Sequence, residues 1–170
     1  QTNWEQSSLS IQVLNKVYWN SLEKYQEYIA SSVWYTAAPS SGIRYSATPN
    51  QFYLDERSNQ KSYYNGALSS INNIGLMYPS DYAFSAGSNF RNSVIYNTLS
   101  GIKSNAWLYN VENKYYEWVL NASGGMGGMY AWGIYASGNL EVGGTLLINN
   151  AYGHWDIRPT FYLKSNVFYK

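Results

Sequence analysis

The run Tyr152-Gly-His-Trp-Asp-Ile-Arg-Pro-Thr-Phe-Tyr-Leu-Lys164 constrains the fold more than any other part of this sequence. Ile157, Phe161 and Leu163 fall on alternate positions around Pro159, the spacing of a strand with one face inward. Pro159 has no N–H to give to a ladder, so the strand must lie at a sheet edge or bulge at that point. It reads as the strand that completes the fold.

At 170 residues the chain suits one domain, residues 1–170, long enough to bury roughly 70% of the surface its unfolded form exposes. Such a chain needs no disulfide or metal to be stable. Cysteine is absent, which excludes thiol catalysis, disulfides and Cys-ligated zinc. Charged residues make up 12% of the chain, against about 25% in an ordinary globular protein, while aromatics reach 18%, with 19 Tyr and 7 Trp. Polarity therefore rests on Asn, Ser and Tyr, a surface suited to binding through hydrogen bonds and amphipathic rings. Tyrosine also fills strands well, so a given ring can serve packing or contact.

Eleven basic and ten acidic residues give a net charge of +1 and are scattered singly, with no Lys/Arg run of three. Nucleic acid calls for a clustered basic face that displaces counterions from phosphates, so that partner is not expected. The same lack argues against a membrane surface. The longest apolar run, around Thr145-Leu-Leu-Ile148, falls far short of the ~20 residues of a span, and no membrane insertion is expected. Low charge, absent cysteine and abundant Asn, Ser, Gly and Tyr indicate a secreted or cell-surface bacterial protein. Because it opens at Gln1 in mid-pattern, the chain is expected to be a processed or trimmed piece of a longer product.

Leu9, Val13, Leu14, Val17 and Tyr18 recur at helical spacing, predicting a helix over residues 8–20 with Ser7 or Ser8 as N-cap. A shorter helix follows, capped by Ser21, with Glu23 in its first turn and Leu22, Tyr25, Tyr28 and Ile29 as its inner stripe. Residues 31–36 read as a strand. Residues 37–75 are rich in turn signals and read as loop, with one short helix near 67–73. A strand over 74–78 stops at Pro79, where Ser80 or Asp81 can cap a helical turn running to Phe84. Residues 85–114 show no sustained period, and 106–109 are their most ordered part. Strands then follow over 116–120, 129–135 and 140–148, the last two joined through Ser137-Gly-Asn139 as a hairpin. The fold class is α+β.

Several of these segments together resemble one kind of domain. Asn3-Trp-Glu-Gln-Ser-Ser-Leu9 with Val13-Leu-Asn15, Gly75-Leu-Met-Tyr-Pro-Ser-Asp-Tyr82, Glu117-Trp-Val-Leu-Asn-Ala-Ser123 and Ile157-Arg-Pro-Thr-Phe-Tyr-Leu163 are similar to segments of uncharacterised secreted domains of Gram-positive bacteria. Those domains resemble in turn the C-type-lectin-like and formylglycine-generating-enzyme-like fold. The resemblance implies two N-terminal helices, a long irregular middle and a small antiparallel C-terminal sheet. The calcium-binding lectin motifs are absent: Thr48-Pro49-Asn50 lacks the carboxylate, and Trp155-Asp156-Ile157 supplies one oxygen ligand only. Without cysteine, the copper-thiolate chemistry of formylglycine-generating enzymes is excluded. No metal and no cofactor is expected.

His154, the single histidine, stands two residues from Asp156, so on a strand both would share a face. A hydrolytic triad needs a geometry that no motif here supplies, and His154 reads instead as a structural histidine beside a turn. The acids Asp55, Glu56, Glu112, Glu117, Glu141 and Asp156 form no recognised glycosidase pair and read as solvated or bonded to backbone. Ser123-Gly-Gly-Met-Gly-Gly128 lacks the Lys-Ser/Thr of a phosphate loop. Arg158 reads as a structural guanidinium tying loop carbonyls together, and Trp4, Trp118 and Leu120 as core.

The expected contact residues are the rings of loops and hairpins, Trp107, Tyr109, Tyr115, Tyr130, Trp132, Tyr135, Tyr152 and Trp155, together with His154. The expectation is a non-enzymatic extracellular recognition domain that binds a glycan or a protein surface without metal. The alternative is a structural subunit or tip component of a pilus, surface fibre or phage tail, whose rings pack against neighbouring subunits in self-association. A hydrolase built on His154 and Asp156 is the third reading.

Overall fold

Leu9, Leu14 and Tyr18 turn inward from a helix spanning Leu9–Tyr18, whose turns are of the wide π type. The Trp19 N–H accordingly donates to the Leu14 carbonyl, five residues back. Wider turns bring side chains four and five apart onto one face, which carries Val13 and Val17 out to solvent rather than into the expected stripe. Of the two cap candidates Ser7 acts: its Oγ accepts from the Ser10 N–H at 3.0 Å, while Ser8 makes no side-chain cap bond.

This computed structural model describes residues 4–37, 46–58, 69–85, 94, 117–123, 130–134, 140–144 and 156–167. A single turn, α1 (Trp19–Ser21), joins the wide helix to a 3-10 helix over Glu23–Tyr28. Ser21 donates its hydroxyl to the Tyr18 carbonyl rather than capping the second helix. With three residues per turn, Tyr25 and Tyr28 share an outer face and are 56% and 44% exposed. The expected inner stripe therefore divides, with Leu22 packed on the core and Ile29 buried as the first residue of β1 (Ile29–Ala30).

The region read as loop contains a helix, α2 (Pro49–Glu56). Thr48 caps it by accepting from the Gln51 N–H, and Pro49 supplies a preset first helical residue. Where a short helix was expected near 67–73, β3 (Ser69–Asn72) pairs antiparallel with β2 (Ser32–Tyr35), Val33 opposite Ile71. The Trp34 indole secures the pair by donating to the Asn72 carbonyl at 3.0 Å. Pairing with a strand so distant in sequence overrides the local preference.

After β4 (Gly75–Leu76), helix α3 (Pro79–Ser85) starts with Tyr78 in the cap position. Asp81 reaches back to accept the Tyr78 N–H at 3.0 Å, half of a capping box, so neither Ser80 nor Asp81 is itself the cap residue.

Three C-terminal strands form near the expected positions, β5 (Glu117–Ser123, running past the expected end at 120), β6 (Tyr130–Ile134) and β7 (Leu140–Gly144), and pair antiparallel in sequence order; residues 145–148 of the last expected strand lie outside the described residues. Ile134 faces Leu140 across the hairpin, whose turn lies outside the described residues. The sheet is completed by β8 (Asp156–Ile157), parallel to β5.

The closing segment is interrupted around Pro159, and each piece takes a different partner. β8 joins β5; β9 (Pro159–Thr160) pairs with β4; β10 (Tyr162–Leu163) pairs with β1, Leu163 opposite Ile29. Each change of partner resets which side faces the core, so the expected alternation is not realised. Ile157 packs on the core, whereas Phe161 and Leu163 are exposed.

The core gathers Trp4, Leu14, Ile29, Trp34, Ile74, Leu76, Tyr78 and Leu120, with Trp118 at its margin. Asn15 binds the wide helix to it through a two-way bond with Ile74, its amide donating to the carbonyl and its carbonyl accepting the N–H, both at 2.9 Å. The architecture is α+β, mixed helix with small, mainly antiparallel sheets. No described helix is long and apolar enough to cross a membrane.

Candidate functional site

Glu56, Arg57 and Asp81 form a cluster of ion pairs where the end of α2 meets the start of α3. Glu56 closes α2 and is fully buried, and Arg57 follows it. Arg57 extends across to α3, donating Nη2 to Asp81 Oδ1 at 3.0 Å and Nη1 to Ser80 Oγ at 3.0 Å. Glu56 Oε1 contacts both Arg57 Nη1 and the Ser80 hydroxyl, and Oε2 accepts the Ser80 N–H at 3.3 Å. Asn121 of β5 closes the underside, donating its amide to the carbonyls of Ala37 and Glu56.

Burial pushes the Glu56 carboxyl up, to about 8, against the opposing pull of Arg57 and the Ser80 hydroxyl. Burial also works against the Arg57 charge, but Glu56 and Asp81 outweigh it and hold that guanidinium more firmly protonated than usual. The isolated acids were expected to be solvated or bonded to backbone, and Glu56 departs from this because two side chains and an N–H converge on it.

Tyrosines surround the guanidinium. Its Cζ lies 4.1 Å from the centroid of Tyr53 and 3.6 Å from that of Tyr78, distances at which a cation gains from a ring face. Tyr162 of β10 also engages Arg57 and packs on Trp34 with centroids 5.1 Å apart. Tyr53 meets the edge of Phe84 at 6.0 Å. Tyr53 and Tyr162 remain 41% and 47% exposed, and the Asp81 carboxylate also reaches solvent.

A second ionic pair joins β5 to the closing segment, with Arg158 Nε 2.7 Å from Glu117 Oε1 and Nη2 3.4 Å from Oε2. Arg158 was expected to gather loop carbonyls; a carboxylate takes that fork instead, the better match to its planar donors. Burial, reinforced by Glu117, pushes the neighbouring Tyr82 phenol up.

Of the rings expected to make contacts, Trp132 is a core residue. It occupies the middle of β6, is fully buried, and meets Phe52 of α2 edge-on at 5.7 Å. It is buried because β6 is an inner strand, between β5 and β7, and turns this position toward α2. Tyr130 lies at the start of β6, its backbone paired with Ser123 and Gly144. Trp107, Tyr109, Tyr115, Tyr135, Tyr152, His154 and Trp155 lie outside the described residues.

Sequence reasoning missed Tyr53, Arg57, Asp81 and Tyr162 as a group. A signal did exist: Thr48-Pro49 and Pro79-Ser-Asp81 are both helix starts, and each helix carries charge in a chain that has little. Ser80 and Glu56 are too deeply buried to reach a substrate, so their contact does not serve as a nucleophile and base. No group of His, Cys, Asp or Glu among the described residues could hold a metal ion. Tyr53 and Tyr162 thus stand half-exposed beside the Arg57–Asp81 ion pair. No protein-family profile, curated protein or solved structure matches this chain.

Proposed function

We propose that this chain is a non-enzymatic recognition domain of a secreted or cell-surface bacterial protein, C-type-lectin-like in fold, that binds a glycan or protein surface through amphipathic rings. The observation that carries the reading is the half-exposed pair Tyr53 and Tyr162 beside the Arg57–Asp81 ion pair. A sugar presents an apolar C–H face that suits a ring and hydroxyls that suit ionic donors and acceptors, so it can use both parts of this patch. Helices first and a small C-terminal sheet last support the lectin-like reading.

A glycan array followed by fluorescence titration tests it. Binding that weakens at least tenfold in Tyr53→Ala and Tyr162→Ala supports the patch. Binding that is lost only in Trp107→Ala or Trp155→Ala moves the contact to the loop rings, and no binding of any glycan or protein ligand at millimolar concentration sinks the reading.

One observation favours the alternative, a structural subunit of a pilus, fibre or phage tail. Val33 and Ile71 stand opposite each other on β2 and β3 and are 47% and 72% exposed, a side-by-side apolar pair suited to a neighbouring subunit. Concentration-dependent light scattering that Ile71→Asp abolishes would support that reading.

A further inference from the structure

The junction of α2 and α3 encloses one guanidinium with two carboxylates. Arg57 pairs with Asp81, whose carboxylate is partly open to solvent, and with Glu56, which is fully enclosed. With both acids ionised the cluster carries a net negative charge, and the enclosed member of the pair bears the desolvation cost. With a proton on Glu56 the cluster is neutral and Arg57 is balanced by Asp81 alone.

Among the described residues no other charge facing Glu56 supplies compensation. On its own helix, Asp55 is engaged by Gln51 one turn back. From α3 come Ser80 and Asp81, and before them Tyr78; from β5 comes the uncharged Asn121 amide, bonded to the Glu56 carbonyl. Tyr162 of β10 approaches on the Arg57 side. Among the described residues Arg57 is the single cation at the cluster. The Ser80 hydroxyl can rotate, donating to an ionised carboxylate or accepting from a protonated acid, so its bond survives either state.

We propose that this junction is a proton-linked latch: α2 and α3 dock with a proton on Glu56, and release of that proton to solvent loosens the docking. Loosening frees Arg57 from its place between helices and with it the arrangement of Tyr53 and Tyr78 around the guanidinium. The tyrosine cluster is therefore ordered in mildly acidic solution and less ordered in alkaline solution. This inference does not depend on any ligand and stands apart from the proposed function.

Near-ultraviolet circular dichroism and thermal melting of the whole chain, from about pH 5 to about pH 9, test it. The expected result is a wild-type signal and melting temperature that both fall across the neutral range, with Glu56→Gln flat over the same span. That comparison separates Glu56 from His154, the single histidine, which Glu56→Gln leaves in place. A flat wild-type profile, or a fall of equal size in Glu56→Gln, overturns the latch. Should Glu56→Gln fail to fold, carboxyl-carbon NMR of the wild type decides: a glutamate titrating between about pH 6 and about pH 9 upholds the proposal, and every carboxyl titrating below about pH 6 overturns it.

Discussion

Gly75 lies directly beneath the Trp34 indole: a Cβ built at position 75 would stand 2.4 Å from Trp34 Cε3. Trp34 is fully buried, with its indole N–H bonded to Asn72, so the ring has no room to retreat. Gly75→Ala is expected to cost about 1–3 kcal/mol through overpacking, read as a lower midpoint in urea unfolding. A midpoint equal to wild type would mean that the indole moves freely.

Removing the Thr48 hydroxyl leaves the Gln51 N–H at the start of α2 without its partner. Thr48→Ala should destabilise by about 1 kcal/mol, a melting shift of roughly 2–4 °C in a chain of this size. Thr48→Ser, which keeps the hydroxyl, should recover most of that loss in the same scan.

Trp132→Ala opens a large void between β6 and α2 beside Phe52. The expected loss is about 3–5 kcal/mol, measurable by chemical denaturation. Trp132→Phe should lose markedly less. If Trp132 were a surface contact ring, both substitutions would leave stability near wild type.

Glu56 makes stability depend on pH with a definite sign. Its carboxyl, ordinarily at 4.5, is raised to about 8 in the folded chain by burial, so the folded state holds a proton that the unfolded state has released. The stabilising contribution is complete below about pH 4.5 and declines as pH rises to about 8, with a slope of at most about 1.4 kcal/mol per pH unit. Urea midpoints measured at intervals across that window should fall steadily in the wild type.

Arg158→Met keeps the apolar stem of the side chain but leaves Glu117 without its fork. Glu117 is nearly buried while Arg158 is one-third exposed, so water softens the penalty to roughly 1–3 kcal/mol. Adding Glu117→Gln to that variant should recover part of the loss, as a double-mutant cycle would record.

The parts of the fold legible in the sequence were those with long, strong periodicity. The N-terminal helix and the β5, β6 and β7 strands appear where apolar spacing places them. Helix α2 escaped because it is short and polar, with its inward residues Phe52 and Glu56 set among turn formers. Strand β3 escaped because Ser69-Ser-Ile-Asn72 has no strand pattern of its own and is held by β2. The outward turn of Tyr25 and Tyr28 followed from tight helical turns that apolar spacing alone does not distinguish from α turns. At the candidate site, Arg57 and Asp81 meet across 24 residues of chain, a distance at which no local rule operates. The burial of Glu56 was equally hidden, because a carboxylate in a polar stretch ordinarily faces water.

The closing segment has a consequence for the timing of folding. Residues 156–163 enter three of the four sheets among the described residues, touching β5, β4 and β1 in turn. Those sheets therefore remain incomplete until residues 156–163 have left the ribosome, and a nascent chain stalled before residue 156 holds three open strand edges at once. Such a chain should acquire resistance to protease abruptly once residues 156–163 emerge, rather than gradually before that point.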